Sequence, residues 1–162
     1  MVVALGGNLA GGYGSSEALL EAALAALPAA GLAVLARSGW WRSAAWPDPT
    51  GPEYRNGVAI VAAPAGPEAT LQALLTVEAS FNRRRGERNA PRTLDLDLIA
   101  YGRVVMDTPD LTLPHPRAHE RLFVMGPLAQ IAPDWIHPVL GRTAVELAAT
   151  ASIGRDARPA TR

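Results

Sequence analysis

Asp95 and Asp97 stand two residues apart in the stretch PRTLDLDLIAYG, Pro91 to Gly102. Side chains alternate along a strand, so both carboxylates share one face with Thr93 and Ile99, while Leu94, Leu96 and Leu98 turn toward a core. In extended chain the two Cα atoms lie roughly 6–7 Å apart. Carboxylates that close repel one another unless a cation sits between them. The chemistry that suits them is one or two Mg²⁺ ions, bound by oxygen ligands and shared with a phosphate. Taken alone, the pair fits a solvated strand face, or aspartates paired with arginines, just as well.

The surroundings favour phosphate. Arg83, Arg84, Arg85, Arg88 and Arg92 lie just upstream, in a chain of zero formal net charge. Guanidinium forks beside a metal-binding pair make a polyphosphate site; the plainer reading is surface ion pairs with Asp95, Asp97 and Glu87. All 15 basic residues are Arg. With no Lys there is no P-loop, no protein-kinase lysine and no Schiff base. Phosphate handling therefore falls to Arg, backbone amides and metal. The absence of Cys excludes disulfides, thiolate nucleophiles and Cys-ligated zinc. His115 and His119 are four residues apart, but Pro114 and Pro116 spoil a helical presentation and no HExxH motif is present. His115 reads better as a nucleotide contact, and His119 and His137 as structural residues. Zero net charge also argues against a general nucleic-acid binder.

These residues need a scaffold. The length, 162 residues with 49% apolar content, fits one globular domain, 1–162, with a tail that frays from about residue 152. VVAL forms a short strand, and Ser15 or Ser16 caps a helix whose stripe is Leu19, Leu20, Ala23, Leu24 and Leu27. LAVLARSGWW and YRNGVAIVAA are strands. Gly66-Pro67 opens a second helix with the stripe Leu71, Leu74, Leu75, Glu78 and Phe81. TLDLDLIAYG is the fourth strand, RVVMDTPDLTL a hairpin, RLFVMGPLAQI a short helix, and Thr143 to Ala151 a last helix. The order β-α-β-β-α-β predicts an α+β, ferredoxin-like antiparallel sheet with helices on one face plus C-terminal additions. The loops at 7–14, 42–53 and 82–92 are long enough to carry function. The N-terminus lacks a signal-peptide pattern and the most apolar stretch is too short for a bilayer, so a soluble cytoplasmic monomer is expected.

PRTLDLDLIAYG, followed by LTLPHPRAHERLFVMGPLAQIAPDWIHP, closely resembles the 6-hydroxymethyl-7,8-dihydropterin pyrophosphokinase family of folate biosynthesis. LGGNLA, YRNGVAIV and VEASFNRRRGER extend the resemblance over about Val2 to Val139. It implies transfer of pyrophosphate from ATP to the hydroxymethyl group of the reduced pterin, with release of AMP. Two Mg²⁺ ions would bridge the phosphates to Asp95 and Asp97. By motif, Arg83, Arg85 and Arg92 hold the triphosphate, and His115 and Arg121 contact ATP. Adenine is met by main chain near Leu98 and Thr112, and Glu78 stands at the site margin. The pterin lies between the rings of Tyr54 and Phe123, a geometry that suits a flat bicycle. Asn56 offers a donor and acceptors to its edge. Backbone from Ser43 to Ala45 completes that edge.

Three departures from the family pattern stand out. Asn89-Ala90 replaces the usual Trp-Gly, GGN replaces GSN, and SAAWPDPTG has no close match, with Trp46 as a candidate closing ring. Two other functions compete with the enzyme reading. A relative that binds pterin or nucleotide without transfer has the missing Trp in its favour. An RNA-recognition module shares the element order, but this chain has few strand aromatics and carries acid where RNA would lie.

Overall fold

The computed structural model describes residues 1–45, 48–62, 65–82 and 93–160. In chain order they form β1 (Val2–Gly7), α1 (Ser16–Ala26), β2 (Ala33–Arg37), β3 (Trp41–Ser43), β4 (Tyr54–Ala62), α2 (Pro67–Asn82), β5 (Asp95–Ala100), β6 (Met106–Asp107), β7 (Thr112–Leu113), α3 (Leu122–Ile131), α4 (Ala144–Thr150) and β8 (Arg158–Pro159). The principal sheet has the order β5-β1-β4-β3-β8, with β2 pairing β4 beyond β3, and all its pairs are antiparallel. β6 and β7 form the separate hairpin that the sequence predicts.

Local chemistry explains the boundaries. The Ser15 hydroxyl accepts the Ala18 amide and opens α1. Thr143 and Glu146 form a capping box at α4. The LAVLARSGWW stretch is not one strand but two. It breaks at Ser38, whose hydroxyl accepts the Val58 amide while its own amide donates to the Val58 carbonyl. Beyond the break, the Trp40 ring lies against Gly57, where a Cβ would come within 2.5 Å of it.

The sheet is covered on both faces. Val3, Leu5, Leu96 and Leu98 pack against Leu19, Leu20 and Leu27 from α1 and Leu74 and Val77 from α2. On the other face Val2, Ala4, Val58 and Ile99 meet Val124, Met125 and Leu128 of α3 and Ala144 and Leu147 of α4. The additions to the ferredoxin-like pattern thus build a second layer. The predicted α1 stripe is buried throughout. That of α2 is rotated: Val77 is buried in place of Leu75, which is 43% exposed. Leu75 and Val77 are only two residues apart, and which one faces inward depends on how the helix rolls on the sheet rather than on its own periodicity.

The described part of the predicted tail is bonded to the body of the fold. Residues 152–160 are tied down by β8 and by bonds to Glu120, Leu122, Ala44 and Trp40. Edge strand β3 offers unpaired backbone groups, and β8 satisfies them.

Candidate active site

α3 and α4 cover only part of their face of the sheet. Ile99, on the same side as the aspartates, is buried under that layer at 2% exposure, whereas Asp95 and Asp97 are exposed. Cross-strand register then builds a floor. Gly6 of β1 stands opposite Asp95 on one side and Asn56 on the other, and Trp41 of β3 stands opposite Asn56. In the next row Ala4 lies between Asp97 and Val58. Strands are about 4.8 Å apart, so the Asp95 and Asn56 backbones are roughly 10 Å apart, with glycine between them. A Cβ on Gly6 would come within 2.7 Å of Asn56 Oδ1, so the lack of a side chain there keeps the trough open. Gly7 is equally constrained, since a Cβ would come within 2.3 Å of the Thr93 carbonyl oxygen.

The acidic strand is braced from α2. The Glu78 carboxylate accepts the Leu96 amide at 2.9 Å, between the two aspartates. Glu78 therefore acts on the strand backbone, a role the sequence reading did not assign to it. Asn82, the last residue of α2, was also missed. Its Oδ1 accepts the Thr93 amide at 2.9 Å, the Thr93 hydroxyl at 2.7 Å and the Leu94 amide at 2.9 Å, and its Nδ2 donates to the Leu94 carbonyl at 2.8 Å. The residue preceding Arg83 is thus tied to the residue following Arg92. Arg83, Arg85 and Arg92 themselves lie outside the described residues, as do Arg84, Arg88, Asn89, Ala90 and Trp46.

His115 flanks the aspartates. Its amide donates to the Ile99 carbonyl at 2.8 Å, and its Nδ1 accepts the Arg117 amide at 3.2 Å. That leaves Nε2 to carry the ring proton. Burial pushes the His115 pKa down; the Asp97 charge pulls it up, and Arg121 and His119 push it down further. The ring is neutral at neutral pH, and Asp97, Arg121 and His119 all act on it electrostatically. His119 and His137 meet edge to face at 5.6 Å. His137 is buried and its Nδ1 accepts the Val139 and Leu140 amides, the structural role expected of it.

The remaining predicted contacts divide by element. Leu98 is 4% exposed with its side chain in the α1–α2 core, so only its main chain faces away from that core. The Thr112 hydroxyl donates to Asp107 at 3.1 Å. Phe123, in the first turn of α3, has the Arg121 guanidinium 5.9 Å from its ring centroid. Tyr54 opens β4 opposite Ser43, and Tyr54 and Phe123 are both half-buried. Ser43 is 5% exposed, and the Ala44 amide is bound to Asp156 at 2.6 Å, so that N–H is taken by the protein itself.

Two exposed carboxylates on adjacent same-face positions give a hard, all-oxygen donor set, which fits Mg²⁺ rather than zinc. Among the described residues no cluster of three or more His, Asp or Glu could hold a metal without further ligands, so water and phosphate oxygens would complete the sphere.

A ferredoxin-like sheet with paired acids on an exposed face, beside a neutral histidine and an arginine, has the chemistry to hold a metal and phosphate. The family model for 7,8-dihydro-6-hydroxymethylpterin-pyrophosphokinase matches residues 2–133. The 2-amino-4-hydroxy-6-hydroxymethyldihydropteridine pyrophosphokinase of Synechocystis is 44% identical over 147 residues, 90% of this chain and 73% of that protein. Those of Pseudomonas aeruginosa and Methylorubrum extorquens are 40% and 36% identical, each over 82% of this chain and 80% and 82% of their own lengths. The crystal structure of a Plasmodium falciparum HPPK-DHPS triple mutant shares the fold with a TM-score of 0.67 at 13% identity, covering 91% of this chain and 43% of that one. The chain belongs to the 7,8-dihydro-6-hydroxymethylpterin-pyrophosphokinase family, and its activity is pyrophosphoryl transfer in folate biosynthesis. Neither an RNA module nor a non-catalytic relative is favoured by these matches.

Proposed function

We propose that the trough between β5 and β4 carries this reaction, with ATP at the Asp95–Asp97 end and 6-hydroxymethyl-7,8-dihydropterin at the Tyr54–Phe123 end. The observation that carries the reading is the cross-strand row Asp95–Gly6–Asn56, which sets an acidic pair and an amide edge on one open floor. Two Mg²⁺ ions held by Asp95 and Asp97 would neutralise phosphate charge and align the β-phosphorus. His115 donates from Nε2 to a phosphate oxygen, and Arg121 adds positive charge beside it. Arg83, Arg85 and Arg92 complete the guanidinium contacts. Glu78 holds the strand that carries the aspartates. Main chain at Leu98 and Thr112 receives adenine. Tyr54 and Phe123 sandwich the pterin, Asn56 bonds its edge, and backbone at Ser43 and Ala45 completes that contact. The pterin hydroxyl oxygen attacks the β-phosphorus in line and gives up its proton to solvent, the bond from the β-phosphorus to the bridging oxygen breaks, and AMP leaves with that oxygen on its phosphate.

No described helix is long and apolar enough to cross a membrane. The exposed aspartates would repel a nucleic-acid backbone. The test is AMP formation, which should require ATP, Mg²⁺ and the pterin together. Asp97→Ala should lose at least about a hundredfold in kcat while its circular dichroism spectrum stays unchanged. Near-normal turnover in that variant would overturn the metal role.

A further inference from the structure

We infer that the C-terminal segment 152–160 is a wall of the pterin slot, and that Asp156 is a positioning residue for pterin binding. This rests on the reading of the slot given above. The segment touches both sides of that slot within a few residues. On one side, the Ser152 and Ile153 amides donate to the Glu120 carbonyl at 3.0 and 2.9 Å, and the Leu122 amide donates to the Ile153 carbonyl at 2.9 Å. These bonds bracket Arg121 and the start of α3, where Phe123 sits. Gly154 then passes against the Phe123 ring with φ of 70°, and a Cβ there would come within 2.5 Å of Phe123 Cδ1. The Cδ1–Cε1 edge of the ring is therefore backed by main chain, which fixes where the ring stands while leaving its faces clear of Gly154.

Two residues later the same segment reaches the other side. Asp156 Oδ2 accepts the Ala44 amide at 2.6 Å, across 112 residues of sequence. Arg158 and Pro159 then extend the sheet as β8 against Arg42 and Trp41, and the Ala160 amide donates to the Trp40 carbonyl at 2.8 Å. Ala44 lies at the centre of the Ser43–Ala45 backbone assigned to the pterin edge. A charged acceptor on a backbone amide is among the stronger and shorter hydrogen bonds. It fixes the orientation of the Ala44 peptide and of the groups flanking it, without itself touching the ligand. Residues 152–156 thus link the start of α3, which carries the stacking ring, to the edge-binding backbone, in addition to the direct packing of Gly126 of α3 on the Trp41 ring of β3.

The experiment compares Asp156→Ala with Asp156→Asn and with wild type, measuring KM for pterin and for ATP separately, and kcat. Asparagine keeps an Oδ acceptor for the Ala44 amide, whereas alanine removes it. Asp156→Ala should raise the pterin KM about three- to tenfold, the range expected for one such bond. ATP KM should stay within about twofold, and Asp156→Asn should recover most of the loss. An unchanged pterin KM in Asp156→Ala, or equal rises in both KM values, would overturn the inference. Should the alanine variant fail to fold, Gly154→Ala reads the same segment from its other end: the added Cβ presses on Phe123, and the pterin KM alone should rise. A Phe123→Ala control separates the two levels. If it leaves pterin KM unchanged, the slot reading falls and this inference with it; if it raises pterin KM while Asp156→Ala does not, only the role of the tail is lost.

Discussion

Removing the Asn82 side chain should destabilise the protein more than any other single surface truncation near the site. Asn82 makes four hydrogen bonds to Thr93 and Leu94, all between 2.7 and 2.9 Å. Both partners are buried, Thr93 at 3% and Leu94 at 0% exposure. Each bond contributes about 0.5–1.5 kcal/mol net, and a buried amide left without a partner costs about 1–3 kcal/mol. Water can reach part of the half-buried Asn82 position, so Asn82→Ala should cost about 3 kcal/mol rather than the full sum. At this chain length each kcal/mol lowers Tm by about 2–4 °C, giving a fall of about 6–12 °C. Thermal unfolding followed by circular dichroism reads it directly. Asn82→Asp keeps the Oδ acceptors and loses one donor, so its fall should be smaller. A fall of less than about 2 °C in Asn82→Ala would refute the reasoning, since the tie between α2 and β5 would then carry no net energy.

Two more outcomes follow from local chemistry. Thr143→Ala dismantles the capping box on α4, which should cost about 1 kcal/mol and lower Tm by about 2–4 °C; an unchanged melting curve would count against the box. His137 has its pKa lowered by burial and then by the His119 charge, and His115 is lowered mainly by burial. Both take up protons more readily when unfolded, so no penalty exists above about pH 6.5, and stability falls as pH drops below that value. His137→Asn keeps an acceptor for the Val139 and Leu140 amides, and its Tm should fall less between about pH 7 and pH 5.5 than the wild-type Tm does. Equal slopes would show that His137 contributes nothing to the pH dependence.

Much of this protein was legible in its sequence. The β-α-β-β-α-β order, a serine cap at Ser15 or Ser16, the α1 stripe and the shared face of Asp95 and Asp97 all follow from steric rules that act over a few residues. Periodicity of 3.6 or 2 and the chemistry of helix ends need no knowledge of the rest of the chain. The paired acids, the arginines and the lack of lysine agree with metal-assisted phosphate handling, but it is the resemblance of PRTLDLDLIAYG and LTLPHPRAHERLFVMGPLAQIAPDWIHP to the pyrophosphokinase family that points to pyrophosphate transfer. Tertiary structure decided the rest. Which of Leu75 and Val77 faces the sheet, why Gly6 must separate Asp95 from Asn56, and how Asn82 closes on Thr93 all depend on elements brought together by packing. The bond from Asp156 to Ala44 is the extreme case. An aspartate in a polar tail carries no local signal of its partner, because a hydrogen bond across 112 residues exists only once β3, α3 and the tail have been packed side by side.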